Sequence, residues 1–582
     1  MTEMRIVLHR EIPSGEDFRR QWNALVDGME RPEVFYTWEW AQAVAQVYGA
    51  SLRPMLLTAY HKENLVGIAA LAENACGEIC FLASTTADYC DFVSAPADRK
   101  EFIGLVMRKL RELRFPELRL ANLPADSVSA PVLRSSEPSS YSTFARPAYF
   151  CSQVALDSAD DRSPVSKTAS HKLKRMTKAT SELRAATVEH STTWEMLNQE
   201  FPEFSTSHVA RFLSAGEVSN LVSRERRTFL IELARLLSPQ GWLALSILKI
   251  DGRSIAWNYG FRFAGKWFYY QPTFDVEARR LSAGSYLLCR ILQDASADPK
   301  TRTVDLGLGD EGYKNQYSKA GRQTLYITAS RSRTGRAWQF CRYQAAALAR
   351  RSPRLEKVGR NFVAGIRSLR HPGIVDRVRN PAVTAARSFS SGPEISFLEW
   401  MGAPPSPSED LRSLPVSAKL LAAAAMHYEG DAGTLQYLLR SAKRIQSGQA
   451  QGFALVDAGG IPLHFSWVAA FANFKMPELG HALQEPSPGA VLLFDCWTPA
   501  SQRGYGYFAG SASMVAALMV KNGKRPWIFS IAPNSTAGLE RAGFVPRFTL
   551  ARKRKLFFIF GSGAHLKLIP NSEHAMDLYP AA

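Results

Sequence analysis

"GWLALSILKIDGRSIAWNYGFRFAGKWFYYQPTFD", residues 241–275, reads as three β-strands joined by two tight turns, Asp251-Gly252 and Ala264-Gly265. Both have the chemistry of two-residue hairpin loops, where the backbone needs positive φ and glycine supplies it without a clash. Behind the third strand, "AGSYLLCRILQDAS" (283–296) places Leu287, Leu288, Ile291 and Leu292 on one helical face, and "TRTVDLGLG" (301–309) reads as a returning strand. Helical stretches precede the meander: "TTWEMLNQEF" (192–201) and "RRTFLIELARLLS" (226–238).

The same order stands upstream. Helices "DFRRQWNALVDGM" (17–29) and "VFYTWEWAQAVAQVYG" (34–49) lead into strands 52–60, 65–73 and 78–84, with turns at Lys62-Glu63-Asn64 and Asn74-Ala75-Cys76-Gly77. A helix follows with Phe102, Ile103, Val106, Leu110 and Leu113 at helical spacing, and then a strand, "ELRLANLP". Residues 411–582 give the theme a third time: helices at 417–430 and 431–448, a hairpin at 451–471, and "AVLLFDCWTP" (490–499) entering a helix. The expected class is mixed α/β (α+β): three repeats, each a mainly antiparallel sheet flanked by helices. The expected divisions are lobes at 1–125 and 166–330, a crossover at 126–165, a basic helical segment with linker at 331–394, and a C-terminal domain at 395–582.

With 582 residues, 46% hydrophobic and 11% aromatic, the chain has enough apolar material for several packed cores. No basic stub precedes an apolar run and no uninterrupted apolar stretch reaches about 18 residues, so neither a leader nor a spanning helix is expected, and the cytoplasm is the expected compartment. The seven cysteines are scattered without CxxC pairs, and the histidines lack ligand spacing, so neither a metal nor a disulfide framework is expected. The net charge of +18 is concentrated. Residues 331–390 hold 14 lysines and arginines against Glu356 and Asp376, and residues 165–185 hold six against Glu182. Such runs suit an anionic partner such as membrane lipid, RNA or a phosphorylated ligand, or serve as solvated helix surfaces.

The strand–turn–helix junction "VLLFDCWTPASQRGYGYFAG" sets Arg503, Gly504 and Gly506 where backbone N–H groups and the positive helix end meet a strand's carboxyl edge, a place that suits a diphosphate. It resembles the signature of the GNAT acyltransferases, Gln/Arg-x-x-Gly-x-Gly/Ala, except that Phe508 stands at the final small position. "NSTAGLERAGF" (534–544) resembles the later GNAT segment in which an asparagine, here Asn534, lies beside the pantetheine. Residues 5–330, through "FYTWEW", "DYCDF", the meander and "VDLGLGDEGYKNQYS", resemble the BioF2-like or CelD-like acetyltransferases, tandem GNAT proteins of envelope and exopolysaccharide biosynthesis.

That resemblance implies an acyl-CoA, acetyl-CoA or another, as co-substrate, no metal, and direct transfer to an amine or hydroxyl. The implied acceptor is a small amino compound, an amino sugar or a lipid-linked saccharide. It places Asp305, Gly307, Gly309, Asp310, Glu311, Tyr313 and Lys314 after the strand bordering the donor cleft. There the acids take a proton from the acceptor, and Lys314 holds a phosphate or the developing oxyanion. Arg279, Arg280 and Gly284 fall at the diphosphate turn of the second lobe. The basic segment 331–390 is expected on an anionic membrane surface. Two alternatives remain: a Fem-type transferase taking aminoacyl-tRNA, which the absence of aromatic interleaving in 165–185 disfavours, and an inactive scaffold of a polysaccharide assembly. DNA is not an expected partner.

Overall fold

The computed structural model describes residues 4–135, 141–156, 164–309, 311–331, isolated positions from 334 to 344, and then 394–403, 410–476, 479, 481–531, 533–553 and 565–570. The basic segment 331–394 therefore lies mostly outside the described residues, as does Asp310. Contacts divide the chain into two units, residues 1–208 with 223–359, and residues 209–222 with 360–582. Both are mixed α/β.

The first unit is built on a 13-stranded sheet. Its hairpins form where the turn chemistry put them. Asp251 and Gly252 adopt φ of 50° and 76°, and Ala264 and Gly265 adopt 47° and 76°, so both residues of each turn are left-handed. Asn74 closes the earlier turn, its Oδ1 accepting from the amides of Cys76 and Glu78 at 2.9 and 3.1 Å.

Two pairs in this sheet are parallel: Ile79–Phe81 with Glu117–Pro124, and Lys266–Phe274 with Thr303–Leu308. Each needs a crossover, supplied by the helices Arg99–Glu112 and Ala283–Ala297. The second helix buries Leu287, Leu288, Ile291 and Leu292 against the sheet and against the helix Pro164–Ala179. Full burial of one such side chain contributes about 1.5–3 kcal/mol, so this face fixes the helix. The helix Pro164–Ala179 turns Ala169 and Leu173 inward and leaves Lys167, Lys174, Arg175 and Lys178 exposed.

The centre of the sheet departs from a simple repeat. Ser142–Ala155 follows the first half in sequence but pairs with Thr303–Leu308 of the second, and Gly321–Ser330 follows the second half but pairs with Glu117–Pro124 of the first. The two exchanged strands also pair antiparallel with each other, from Gly321↔Ser152 to Ser330↔Ser142. Residues 126–165, read from the sequence as a crossover, thus contain a 14-residue central strand. The Ser/Pro/Ala-rich stretch reads as irregular with one β-like patch, and the strand's length and central place follow from partners that lie far away in sequence.

The second unit carries an eight-stranded sheet in which Ala490–Trp497 and Arg525–Ser530 are parallel, bridged by the helix Tyr507–Lys521. Glu394–Trp400, at the start of the expected C-terminal domain, lies between Arg525–Ser530 and Phe544–Lys553. Ile395, Phe397 and Leu398 are fully buried there. Among the described residues, no helix is long and apolar enough to cross a membrane.

Candidate active site

Lys266–Phe274 pairs with Thr303–Leu308 only from Lys266↔Thr303 to Phe268↔Asp305, and beyond that the two strands part. On its other side the same strand bulges. Phe268 faces Phe261 and Gln271 faces Tyr259, so Tyr269 and Tyr270 together stand opposite Gly260. A bulge bends its strand and re-aims side chains, which is why bulges collect beside active sites. Gly260 has no room for a side chain: a Cβ there lies 2.3 Å from the Phe268 carbonyl oxygen.

The loop after Ile79–Phe81 reaches the parted strands. Tyr89 Oη donates to Asp305 Oδ2 at 2.7 Å, Gln153 Nε2 donates to the same oxygen at 2.7 Å, and the Gly307 amide donates to Oδ1 at 2.9 Å. Asp305 is thereby saturated and serves as an anchor. Asp88 lies against Gly307, whose φ is 73° and whose absent Cβ would sit 3.1 Å from Asp88 Oδ2. Burial, reinforced by the neighbouring Asp305 carboxylate, pushes the Asp88 carboxyl up to about 7, against the pull of Lys314, Arg226 and the Leu308 amide. A carboxyl so placed exchanges a proton near neutrality.

Tyr270, re-aimed by the bulge, completes the group. Its hydroxyl accepts from Arg226 Nη2 at 2.6 Å and donates to the Thr86 carbonyl, and burial pushes it up to about 12. A second buried network, Glu33 with Lys266 Nζ at 2.5 Å and Arg322 Nη1 at 2.6 Å, and Arg322 with Asp126 at 2.9 Å, ties the two halves together. Its charges are paired within the protein, so its role is positional.

The residues expected from sequence separate into tasks. Glu311 is half-exposed and pairs with Lys314 at 2.6 Å. Lys314 is buried, and its ammonium donates to the carbonyls of Gly307, Leu308 and Gly309 at 3.3, 2.9 and 3.2 Å. With only three N–H groups and four acceptors, it holds the loop shut around Gly309 and has no donor left for a phosphate or an oxyanion. Tyr313 lies at the entrance to the turn Lys314–Gln316 and is 39% exposed.

At the turn before Ala283–Ala297, Arg280 forks onto Glu182 at 2.6 and 2.9 Å, Arg279 is exposed, and Gly284 is backed by the Phe274 ring. In the second unit, Gly504 and Gly506 take φ of 91° and 78°, and no atom lies within 4 Å of where their Cβ would be. Gly506 caps the helix Tyr507–Lys521 without a side-chain hydrogen bond. Arg503 Nε donates to the Thr498 carbonyl at 3.2 Å, with its guanidinium 5.5 Å from the centre of the Trp497 ring. Asn534 belongs to the helix Pro533–Arg541, but its side chain lies outside the described residues. Near this turn, burial pushes His464 down to about 3 and the Cys496 thiol up to about 12.

Sequence reasoning missed Asp88, Tyr89, Gln153, Arg226 and Tyr270. The motif "DYCDF" held the first two, unrecognised because their partners lie more than 200 residues away. A Ser246–His190–Asp294 chain, with both links 2.9 Å, pins the strand Thr187–Ser191 to the helix Ala283–Ala297; Ser246 is fully buried and out of reach of a substrate. Among the described residues, no group of three or more His, Cys, Asp or Glu is placed to hold a metal ion.

Residues 167–315 match the family model of the acetyltransferase (GNAT) domain. No curated protein matches the chain. Among solved structures, it is similar to FemX, with 10% identity and a TM-score of 0.39 over 53% of this chain and 95% of that one. It is similar to the C-terminal domain (DUF2156) of a putative lysylphosphatidylglycerol synthetase from Agrobacterium fabrum, at 10% and 0.37 over 55% and 94%. A tandem GNAT protein from the clavulanic acid biosynthesis pathway stands at 12% and 0.34 over 57% and 99%.

Proposed function

Since residues 167–315 carry a GNAT acetyltransferase domain, we propose that this acyltransferase works at the parted strands of its first unit, moving an acyl group from an acyl-CoA, acetyl-CoA foremost, to an amine or hydroxyl. One observation carries the reading: a buried carboxyl near neutrality, Asp88, lies against Gly307 where Lys266–Phe274 and Thr303–Leu308 separate. The thioester enters that gap. Its diphosphate lies at the first turn of Ala283–Ala297, beside Arg279, where helix N–H groups are unpaired within the helix.

The acceptor's lone pair attacks the thioester carbonyl carbon, and Asp88 takes the proton it sheds. The tetrahedral oxyanion collapses, the C–S bond breaks, and the thiolate leaves with the proton from Asp88. An acyl thioester is already activated, so alignment and one proton relay suffice. Tyr89, Gln153 and Lys314 are positioning residues: they hold Asp305 and the glycine loop that face Asp88.

Calorimetry with acetyl-CoA, and thiol release with amine and hydroxyl acceptors, test the reading on the full chain. Binding with turnover, and turnover lost but binding kept in Asp88→Asn, is the expected result. Full turnover in Asp88→Asn overturns the site, and no acetyl-CoA binding favours a scaffold or an aminoacyl-tRNA donor.

The acceptor we propose is envelope-related, reached at an anionic membrane surface through the basic segment 331–390, with the outward bases of Pro164–Ala179 adding to the attraction. Sedimentation with vesicles containing phosphatidylglycerol, and not with neutral vesicles, is expected; equal binding to both, or to neither, removes the membrane.

A further inference from the structure

Arg226 is a buried cation at this site that the protein leaves unfinished. It sits in the first turn of the helix Arg224–Leu237, with its amide on the Ser223 hydroxyl at 3.4 Å, and it is 7% exposed. Rings flank its guanidinium, Phe229 at 5.1 Å and Tyr270 at 5.6 Å from their centres. Nη2 donates to Tyr270 Oη and the Tyr48 hydroxyl lies beside the guanidinium, but Nε and Nη1 meet no acceptor at hydrogen-bond distance among the described residues.

The other deeply buried arginines of this unit are finished. Arg322 is shared by Glu33 and Asp126. Arg99 donates to Ser94, Ser129 and Glu30. No other arginine among the described residues leaves two buried nitrogens unmet. Buried cations normally have every N–H group met because desolvation is costly, so one with two unmet N–H groups beside a reactive carboxyl marks a place for an anion that arrives from outside.

Taking the acyltransferase reading as its basis, we infer that Arg226 receives a carboxylate carried by the acceptor, which makes the acceptor class an amino acid or a related amino carboxylate. Charge selects the carboxylate. One guanidinium balances one negative charge, whereas a phosphate dianion leaves an excess beside Asp88 and Asp305. The Nε and Nη1 protons supply charge-assisted bonds to the carboxylate oxygens. Tyr270, bonded to Arg226, stands on the bulge beside the parted strands, so an acceptor anchored there presents its amine toward Asp88 and the thioester.

Thiol release from acetyl-CoA by the full chain tests this against the L-amino acids, each beside its decarboxylated amine, and against glucosamine and glucosamine 6-phosphate. The expected result is at least one amino acid whose kcat/KM exceeds that of its amine about 100-fold, with the ratio falling below about threefold in Arg226→Lys and Arg226→Met through a raised KM for the acid. Calorimetric affinity for acetyl-CoA stays as in the native chain.

Equal use of acid and amine overturns the inference, as does an Arg226-dependent preference for the phosphorylated sugar. Acetyl-CoA binding without any amino acid acceptor overturns it while leaving the acyltransferase reading intact. Absence of acetyl-CoA binding overturns both.

Discussion

Two glycine-bearing turns lead into helices at parallel strand pairs, and they differ in opposite respects. At 279–284 in the first unit, the turn is tied down, with Arg280 on Glu182 and Gly284 on Phe274, while the strands beside it face a titrating carboxyl, Asp88. At 503–506 in the second unit, the turn is open and doubly left-handed, while its neighbours His464 and Cys496 are held uncharged through the neutral range by burial. One region has a carboxyl that titrates near neutrality, and the other has left-handed glycines with open space around them. Fold repetition thus leaves function to local residues.

Asp88→Asn sharpens that contrast most. It lowers kcat about 10²–10⁴-fold, and in the native chain kcat/KM climbs with pH to a plateau above about 7 as Asp88 ionises. Its stability effect has the opposite sign. The folded carboxyl titrates higher than the unfolded one, so a stability cost appears as pH rises from the ordinary carboxylate range and is complete above about 7. Asp88→Asn therefore raises the unfolding free energy at pH 8 and not at pH 3, by an amount on the order of a few kcal/mol, read by urea denaturation. Unchanged turnover in this variant breaks the contrast.

His464→Gln comes next. The folded imidazole titrates lower than the unfolded one, so the native chain loses stability as pH falls from about 6.5 toward about 3. Urea denaturation of the second-unit transition at pH 4 is expected to show relief on the order of 3 kcal/mol in the variant, and none at pH 8. Gly506→Ala forces a side chain into left-handed backbone and costs about 1 kcal/mol. Acetyl-CoA titration shows whether a second binding event weakens with it. Arg280→Ala has the smallest effect: its pair with Glu182 lies at the surface, and the KM for acetyl-CoA is expected to move less than about twofold. A large rise in KM makes Arg280 a diphosphate ligand.

The sequence disclosed what depends on neighbours in the chain. The hairpins at Asp251-Gly252 and Ala264-Gly265 follow from two residues each, and the helix 283–297 from its apolar spacing. It disclosed less of what depends on distant partners. Lys314 was legible as a cation beside glycines, but its occupation by three carbonyls follows from how the loop closes. Asp88 is ordinary until Asp305, 217 positions later, is folded against it. Arg226 sits in a stretch rich in arginine, and only burial distinguishes it from Arg224 and Arg227.

The exchanged central strands have a consequence for biogenesis. Glu117–Pro124 waits for Gly321–Ser330 as its neighbour, so the N-terminal half has an incomplete edge until the ribosome has released residue 330. During translation that edge stays unpaired, and cutting the gene between the halves separates each exchanged strand from a partner it pairs with in the whole chain.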